Sequence, residues 1–257
     1  QSRSSAASDV YKRQLVDAVG IIPPAFTMAI FPLMARYAAS SRESLYRAYV
    51  LSIKLLFSLG LFIALASTVL AYPLARIIGG AAYLPHSAVA MQLLVWYMPL
   101  GFINSVTQYV LIALGKQRFL TGAFTAGLAF TLAANLLLIP RWGYIAAAGT
   151  HFFSELVLLI AFYVGVRRHL APIPWLPILS RPAAAAAIAG GVALVLSRSP
   201  LAAAVLSACA YLSLLWLLGT FDAQDRELLQ QVIPVSRLWQ RLRQRLLRAL
   251  PEARLRP

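Results

Sequence analysis

The chain is dominated by apolar runs about as long as a lipid bilayer is thick. Crossing a hydrocarbon core of ~30 Å takes ~20 helical residues, since each residue of an α-helix advances ~1.5 Å. Such runs recur at about residues 15–35, 48–73, 88–113, 119–139, 143–166, 181–197 and 201–220, with short breaks between them. The run at 181–197 ("RPAAAAAIAGGVALVLS") is short and Ala-rich. In lipid, backbone polar groups must be satisfied internally, so spanning segments are helices or closed barrels. The short alternating strands of a barrel do not occur. The expected fold is therefore all-α: a polytopic membrane bundle of about seven transmembrane helices over residues 15–220. Composition agrees. Of 257 residues, 60% are hydrophobic and 12% charged, too little charge to clothe a soluble domain of this length.

The net charge of +15 would suggest nucleic acid in a soluble protein. Here the bases sit at the edges of apolar runs, which points to membrane orientation and excludes a nucleic-acid partner. Arg36, Arg42 and Arg47 follow the first run, Lys116 and Arg118 the third, and Arg167, Arg168 and Arg181 the fifth. Eight more arginines lie in the tail, from Arg226 to Arg256. The intervening connections hold Arg76, Arg141 and Arg198, one each. By the positive-inside rule the rich side is cytoplasmic, so the first run starts outside and the C-terminus ends inside.

Residues 221–257 form a separate basic tail. In "SRLWQRLRQRLLRAL", Leu238, Trp239, Leu242, Leu246 and Leu250 make one helical stripe. Arg237, Arg241, Arg245 and Arg248 fall on the rest of that helix. The pattern predicts a cytoplasmic amphipathic helix on an anionic lipid surface, or a simple topology anchor. At the other end, "QSRSSAASDVYKRQ" (1–14) is polar and has no apolar core, so it is not a signal peptide. It resembles the translation of a sequencing adaptor, and these residues are expected to be non-native.

Polar residues inside the runs are the candidates for chemistry. Glu155 falls near the middle of the fifth run, in "THFFSELVLL". A charge at the bilayer centre costs at least ~2.5–3.5 kcal/mol on insertion scales, so it must be paired, hydrated, protonated or turned inward. His151 lies one turn earlier on the same face and titrates near neutrality when unperturbed. The pair reads either as a proton- or ion-coupling site or as a hydrogen bond that packs helices. Asn104 and Gln108 share a face of the third run, and Asn135 lies near the outer end of the fourth. Each either faces a cavity or joins helices. Lys54 lies inside the second run, where its stem either snorkels to the interface or offers a counter-charge to an anionic headgroup. Pro23, Pro24, Pro32 and Pro99 interrupt helices, as do the discontinuous spans of transporters.

Other chemistries lack their residues. A lone Cys209 excludes a disulfide framework, and His86, His151 and His169 are too scattered for zinc. There is no phosphate-binding loop, nucleophile elbow or H-E-x-x-H motif. No cofactor and no enzymatic activity are expected.

Two stretches carry a family resemblance. They are "YLPHSAVAMQLLVWYMPLGFINSVTQYVLIALGKQRF" and "LAANLLLIPRWGYIAAAGTHFFSELVLL". With "IFPLMARYAAS" at the end of the first run, they resemble the C-terminal half of polysaccharide flippases of the multidrug/oligosaccharidyl-lipid/polysaccharide exporter superfamily. The features that match are Tyr83-Leu84-Pro85, Gly115-Lys116-Gln117-Arg118, Asn135, Leu138-Ile139-Pro140, Gly143, Ala146-Ala147-Ala148-Gly149 and Ser154-Glu155. Ala146 stands where the family usually has Gly.

The resemblance implies the second of two lobes, followed by two extra helices, with the N-terminal lobe missing. It implies a bacterial inner-membrane transporter that moves an undecaprenyl-diphosphate-linked oligosaccharide by alternating access for polysaccharide biosynthesis. An H⁺ or Na⁺ gradient would drive the cycle. A lipid II flippase, a multidrug/cation antiporter and a membrane-embedded glycan enzyme are the alternatives.

Overall fold

A computed structural model describes residues 22–80, 84–222 and 225. Among these the regular structure is helical: α1 (Ile22–Ser40), α2 (Arg42–Val69), α3 (Ala71–Gly79), α4 (His86–Leu94), a 3₁₀ turn (Val95–Tyr97), α5 (Met98–Ala113), α6 (Gln117–His169), α7 (Trp175–Val195) and α8 (Pro200–Leu217). Five helical stretches are long and apolar enough to cross a membrane: Arg42–Val69, His86–Ala113, Gln117–His169, Trp175–Val195 and Pro200–Leu217. The chain is thus built as a membrane-embedded helical protein. α1 is not among the five, and residues 15–21 of the expected first run lie outside the described residues.

Each boundary has a local cause. Ser41 is extended, and its hydroxyl accepts from the Ser44 N–H, capping α2. Glu43 in the first turn favours the positive helix end and pairs with Arg47 one turn on. α5 stops at Gly115, whose φ of 71° suits only a residue without Cβ. There the Lys116 N–H reaches the Leu111 carbonyl and the Gly115 N–H the Ile112 carbonyl, which satisfies the helix's last acceptors. The run expected at 88–113 is one passage broken in the middle. The chain tightens at Val95–Tyr97, and Pro99 occupies the first turn of α5, where its missing N–H costs nothing.

The 53 residues of α6 would reach ~80 Å if straight, well beyond a bilayer. They instead fold back on themselves. Gly143, at φ 56° and ψ −132°, breaks the helix into limbs 117–142 and 144–169. Contacts between the limbs are symmetric about that point. Gly165 lies against the Phe119 ring, Phe124 meets Phe162 edge-on, Gly127 lies against Leu158, and Thr131 bonds to Ser154. The limbs are therefore antiparallel, and two glycines supply the room for their approach.

The core centres on α2, which packs against α1, α5, α7 and α8. Leu45, Tyr49, Ile53 and Leu56 meet Ile103, Val106 and Val110 of α5 in one buried cluster. Two tyrosines staple this core. The Tyr49 hydroxyl lies 2.8 Å from Thr107 Oγ1, and the Tyr211 hydroxyl of α8 donates to the Ser58 carbonyl at 2.9 Å. α7 begins at Trp175, ahead of the expected 181, so this span is longer than its Ala-rich run suggests.

Residues 221–257 are a separate unit, of which Phe221, Asp222 and Asp225 are described; the Asp222 N–H donates to Asp225 Oδ2. The tail residues Arg237, Trp239, Arg241, Arg245 and Arg248 lie outside the described residues.

Candidate functional site

Glu155 lies near the middle of the second limb of α6, half-buried. Its partner comes from α5. The side-chain nitrogen of Asn104 donates to Glu155 Oε2 at 2.8 Å and to the Glu155 main-chain carbonyl at 2.8 Å. Asn104 itself is 5% exposed. One amide therefore ties both the carboxylate and the backbone of α6 to α5. Among the described residues no Lys, Arg or His forms an ion pair with Glu155.

Gly101 forms the floor beside the carboxylate. A methyl there would stand 3.6 Å from Glu155 Oε2 and 3.5 Å from the Tyr97 ring. Tyr97, Gly101 and Asn104 recur at helical spacing across the 3₁₀ turn and α5, so they present one stripe to the second limb. His151 is exposed, and its ring meets that of Tyr97 edge-on with centroids 4.2 Å apart. Thus His151 and Glu155 share a helix face but have different neighbours, an aromatic ring and an amide.

A second polar level crosses the hairpin. Thr131 Oγ1 lies 2.6 Å from Ser154 Oγ and 2.8 Å from the Gly127 carbonyl. Continuing the same register by one turn sets Asn135 opposite Thr150. The Asn135 Oδ1, Thr150 Oγ1 and Asn104 Oδ1 atoms are buried without a hydrogen-bond partner. Such groups are costly in an apolar interior, so they mark a region that favours polar company.

The remaining sequence candidates fall elsewhere. Gln108 is half-buried one turn beyond Asn104, and among the described residues no hydrogen bond joins it to the Glu155 pair. Lys54 is half-buried in α2. Among the described residues there is no group of His, Cys, Asp and Glu fit to hold a metal. Sequence reading passed over Tyr97, Thr131 and Thr150. The spacing of Tyr97, Gly101 and Asn104 was visible, but its importance depends on which helix lies opposite.

A separate apolar groove of about 800 Å³ opens between α2, α3, α7 and α8. Leu61, Leu65, Tyr72, Ala186 and Gly190 line it, and at its polar edge the Gln92 amide donates to the Thr68 carbonyl.

Fold and site together define a polytopic helical membrane protein with an acid among its helices that no cation of the described residues pairs. No family model matches the chain, and neither a curated protein nor a solved structure does.

Proposed function

We propose that this chain is the second lobe, with two extra helices, of a flippase that moves an undecaprenyl-diphosphate-linked oligosaccharide across the bacterial inner membrane by alternating access. In this reading an H⁺ or Na⁺ gradient drives the cycle and Glu155 senses it. One observation carries the reading: a carboxylate at mid-helix is held by the Asn104 amide and, among the described residues, by no cation. A structural role would be filled more cheaply by a neutral amide, because ionised groups in membrane spans are costly and mark pathways for ions, protons or substrates.

Three further features support it. The sequence resemblance points to polysaccharide flippases. Five helical stretches are membrane-length, and the reading takes the two limbs of α6 as separate spans and adds α1 to reach seven, with the basic helix ends assigned to the cytoplasm by the positive-inside rule. The apolar groove has the polarity and size to accept part of a lipid chain.

The test is reconstitution of the chain together with the N-terminal lobe that the resemblance implies, in proteoliposomes with a fluorescent polyprenyl-diphosphate-linked oligosaccharide under an imposed ion gradient. The wild-type protein is expected to move the lipid between leaflets. Glu155→Gln is expected to insert normally yet lose at least ten-fold in gradient-driven rate. Equal rates for the two proteins would remove Glu155 from the mechanism, and no movement by wild type would reject the flippase reading.

A further inference from the structure

Folding α6 back on itself gathers cations that the sequence keeps apart. The start and the end of the hairpin meet, with Gly165 against the Phe119 ring and the His169 ring facing that ring at a centroid distance of 6.3 Å. Lys116 and Arg118 therefore share one end of the hairpin with Arg167 and Arg168. Arg118, Arg167 and Arg168 are exposed, and Lys116 is half-buried. The chain has no acid between Glu43 and Glu155, or between Glu155 and Asp222. Among the described residues none of the four cations is paired with a carboxylate.

The helix ends account for two of these charges. Arg167 and Arg168 lie in the last turn of α6, where the negative end of the helix favours them. Lys116 and Arg118 lie at its start, where the positive end disfavours them. Two cations set against the dipole, and beside two more, are better placed with an anion from outside the chain.

The neighbouring surface indicates what carries that anion. Arg118, Gly122, Thr125, Ala129, Leu132 and Leu136 recur at helical spacing, and all are exposed. Nothing lies within 4 Å of where a Cβ on Gly122 would stand. The stripe thus runs from a cation, over small side chains, to leucines. It offers a place for a charged head and then a shallow apolar track. A phospholipid presents its groups in this order, whereas a soluble phosphate would leave the track unused.

We propose that the basic end of the α6 hairpin is a binding site for an anionic phospholipid, with Lys116, Arg118, Arg167 and Arg168 around the phosphate and an acyl chain along the 117–142 limb. The phosphate relieves the repulsion between the two ends of the hairpin and ties them together. The lipid is a resident of the surrounding membrane rather than cargo, so the site stands apart from the flippase reading.

The test uses the full chain in neutral detergent with a phosphatidylglycerol that carries a diazirine in its acyl chain. Cross-links are located by mass spectrometry after illumination, at constant ionic strength. Label is expected on residues 118–136, displaced by unlabelled phosphatidylglycerol at lower concentration than by phosphatidylcholine of the same chains, and not displaced by pyrophosphate. Arg118→Gln with Arg168→Gln should lower this labelling at least five-fold, since each basic residue near an anionic surface is worth about that factor. Label on the basic tail, residues 236–250, serves as the internal reference. Arg118→Lys with Arg168→Lys should keep most of the labelling, because the charge is retained. Equal displacement by the two phospholipids would reduce the site to ordinary lipid contact and overturn the proposal. Displacement by pyrophosphate would assign the cluster to a soluble phosphate instead, and undiminished labelling in the Gln pair would remove the cations from the site.

Discussion

The Cα atom of Pro99 lies 2.7 Å from where a Cβ on Gly60 would stand. α2 and the start of α5 thus touch backbone to backbone, and Pro99 stiffens one side of the contact. Gly60→Ala forces the helices apart and is expected to destabilise the protein by about 1–3 kcal/mol, the usual range for overpacking. Thermal unfolding of the purified variant in detergent checks this; an unchanged midpoint would mean the two helices separate without cost.

Tyr49 and Thr107 give an asymmetric pair. The Thr107 hydroxyl donates its one hydrogen to the Ile103 carbonyl, so the Tyr49 hydroxyl is the donor between the two. Tyr49→Phe removes that donor and leaves Thr107 still bonded, a loss of about 0.6 kcal/mol by the average for membrane helices. Thr107→Val strands a buried Tyr hydroxyl and should cost more, about 1–3 kcal/mol. Denaturant titration of both variants reads the order, and the reverse order would contradict the donor assignment.

The hairpin in α6 is open to cross-linking. Thr131 and Ser154 hydroxyls 2.6 Å apart make these two positions neighbours across the hairpin, so cysteines there can meet. In a Cys209→Ser background, Thr131→Cys with Ser154→Cys should close a bridge on mild oxidation, detected by mass after thiol alkylation. A continuous helix would hold these residues over 30 Å apart and give no bridge. Adding Gly143→Ala should slow closure, because φ 56° with ψ −132° costs a residue with Cβ about 1–3 kcal/mol.

The tail makes a prediction from sequence alone. A peptide of residues 236–250 should bind vesicles containing anionic lipid and lose most of that binding when its arginines become glutamines. Equal binding to neutral and anionic vesicles would refute the lipid-surface reading.

Much of the architecture was legible because lipid allows a chain few solutions. A run of ~20 apolar residues specifies a helix whatever surrounds it, since the backbone must bond to itself. So the apolar runs located the helices, and "PRWG" at 140–143 marked the break between the fourth and fifth. Ends were less legible. α2 begins at Arg42 rather than 48, because Ser41 caps it and a Glu43–Arg47 pair stabilises polar turns that hydropathy passes over. α7 begins at Trp175, with Pro177 in its first turn, where a missing N–H costs nothing, and it runs on through Pro182.

The depth of Glu155 followed from counting along one helix, and so did the suspicion attached to it. Its partner did not. His151 was the neighbour that helical periodicity offered, whereas the structure turns the carboxylate to Asn104, 51 residues away, and leaves His151 against Tyr97. Periodicity assigns a residue to a face of its own helix, but which helix covers that face depends on how helices pack. That choice rests on contacts such as Gly60 on Pro99 and Gly165 on Phe119, where the lack of a side chain lets one element approach another. The sequence alone determined that this chain is a set of membrane-length helices with an acid in their midst; tertiary packing decided what the acid touches, because proximity between distant segments is a property of the packed bundle.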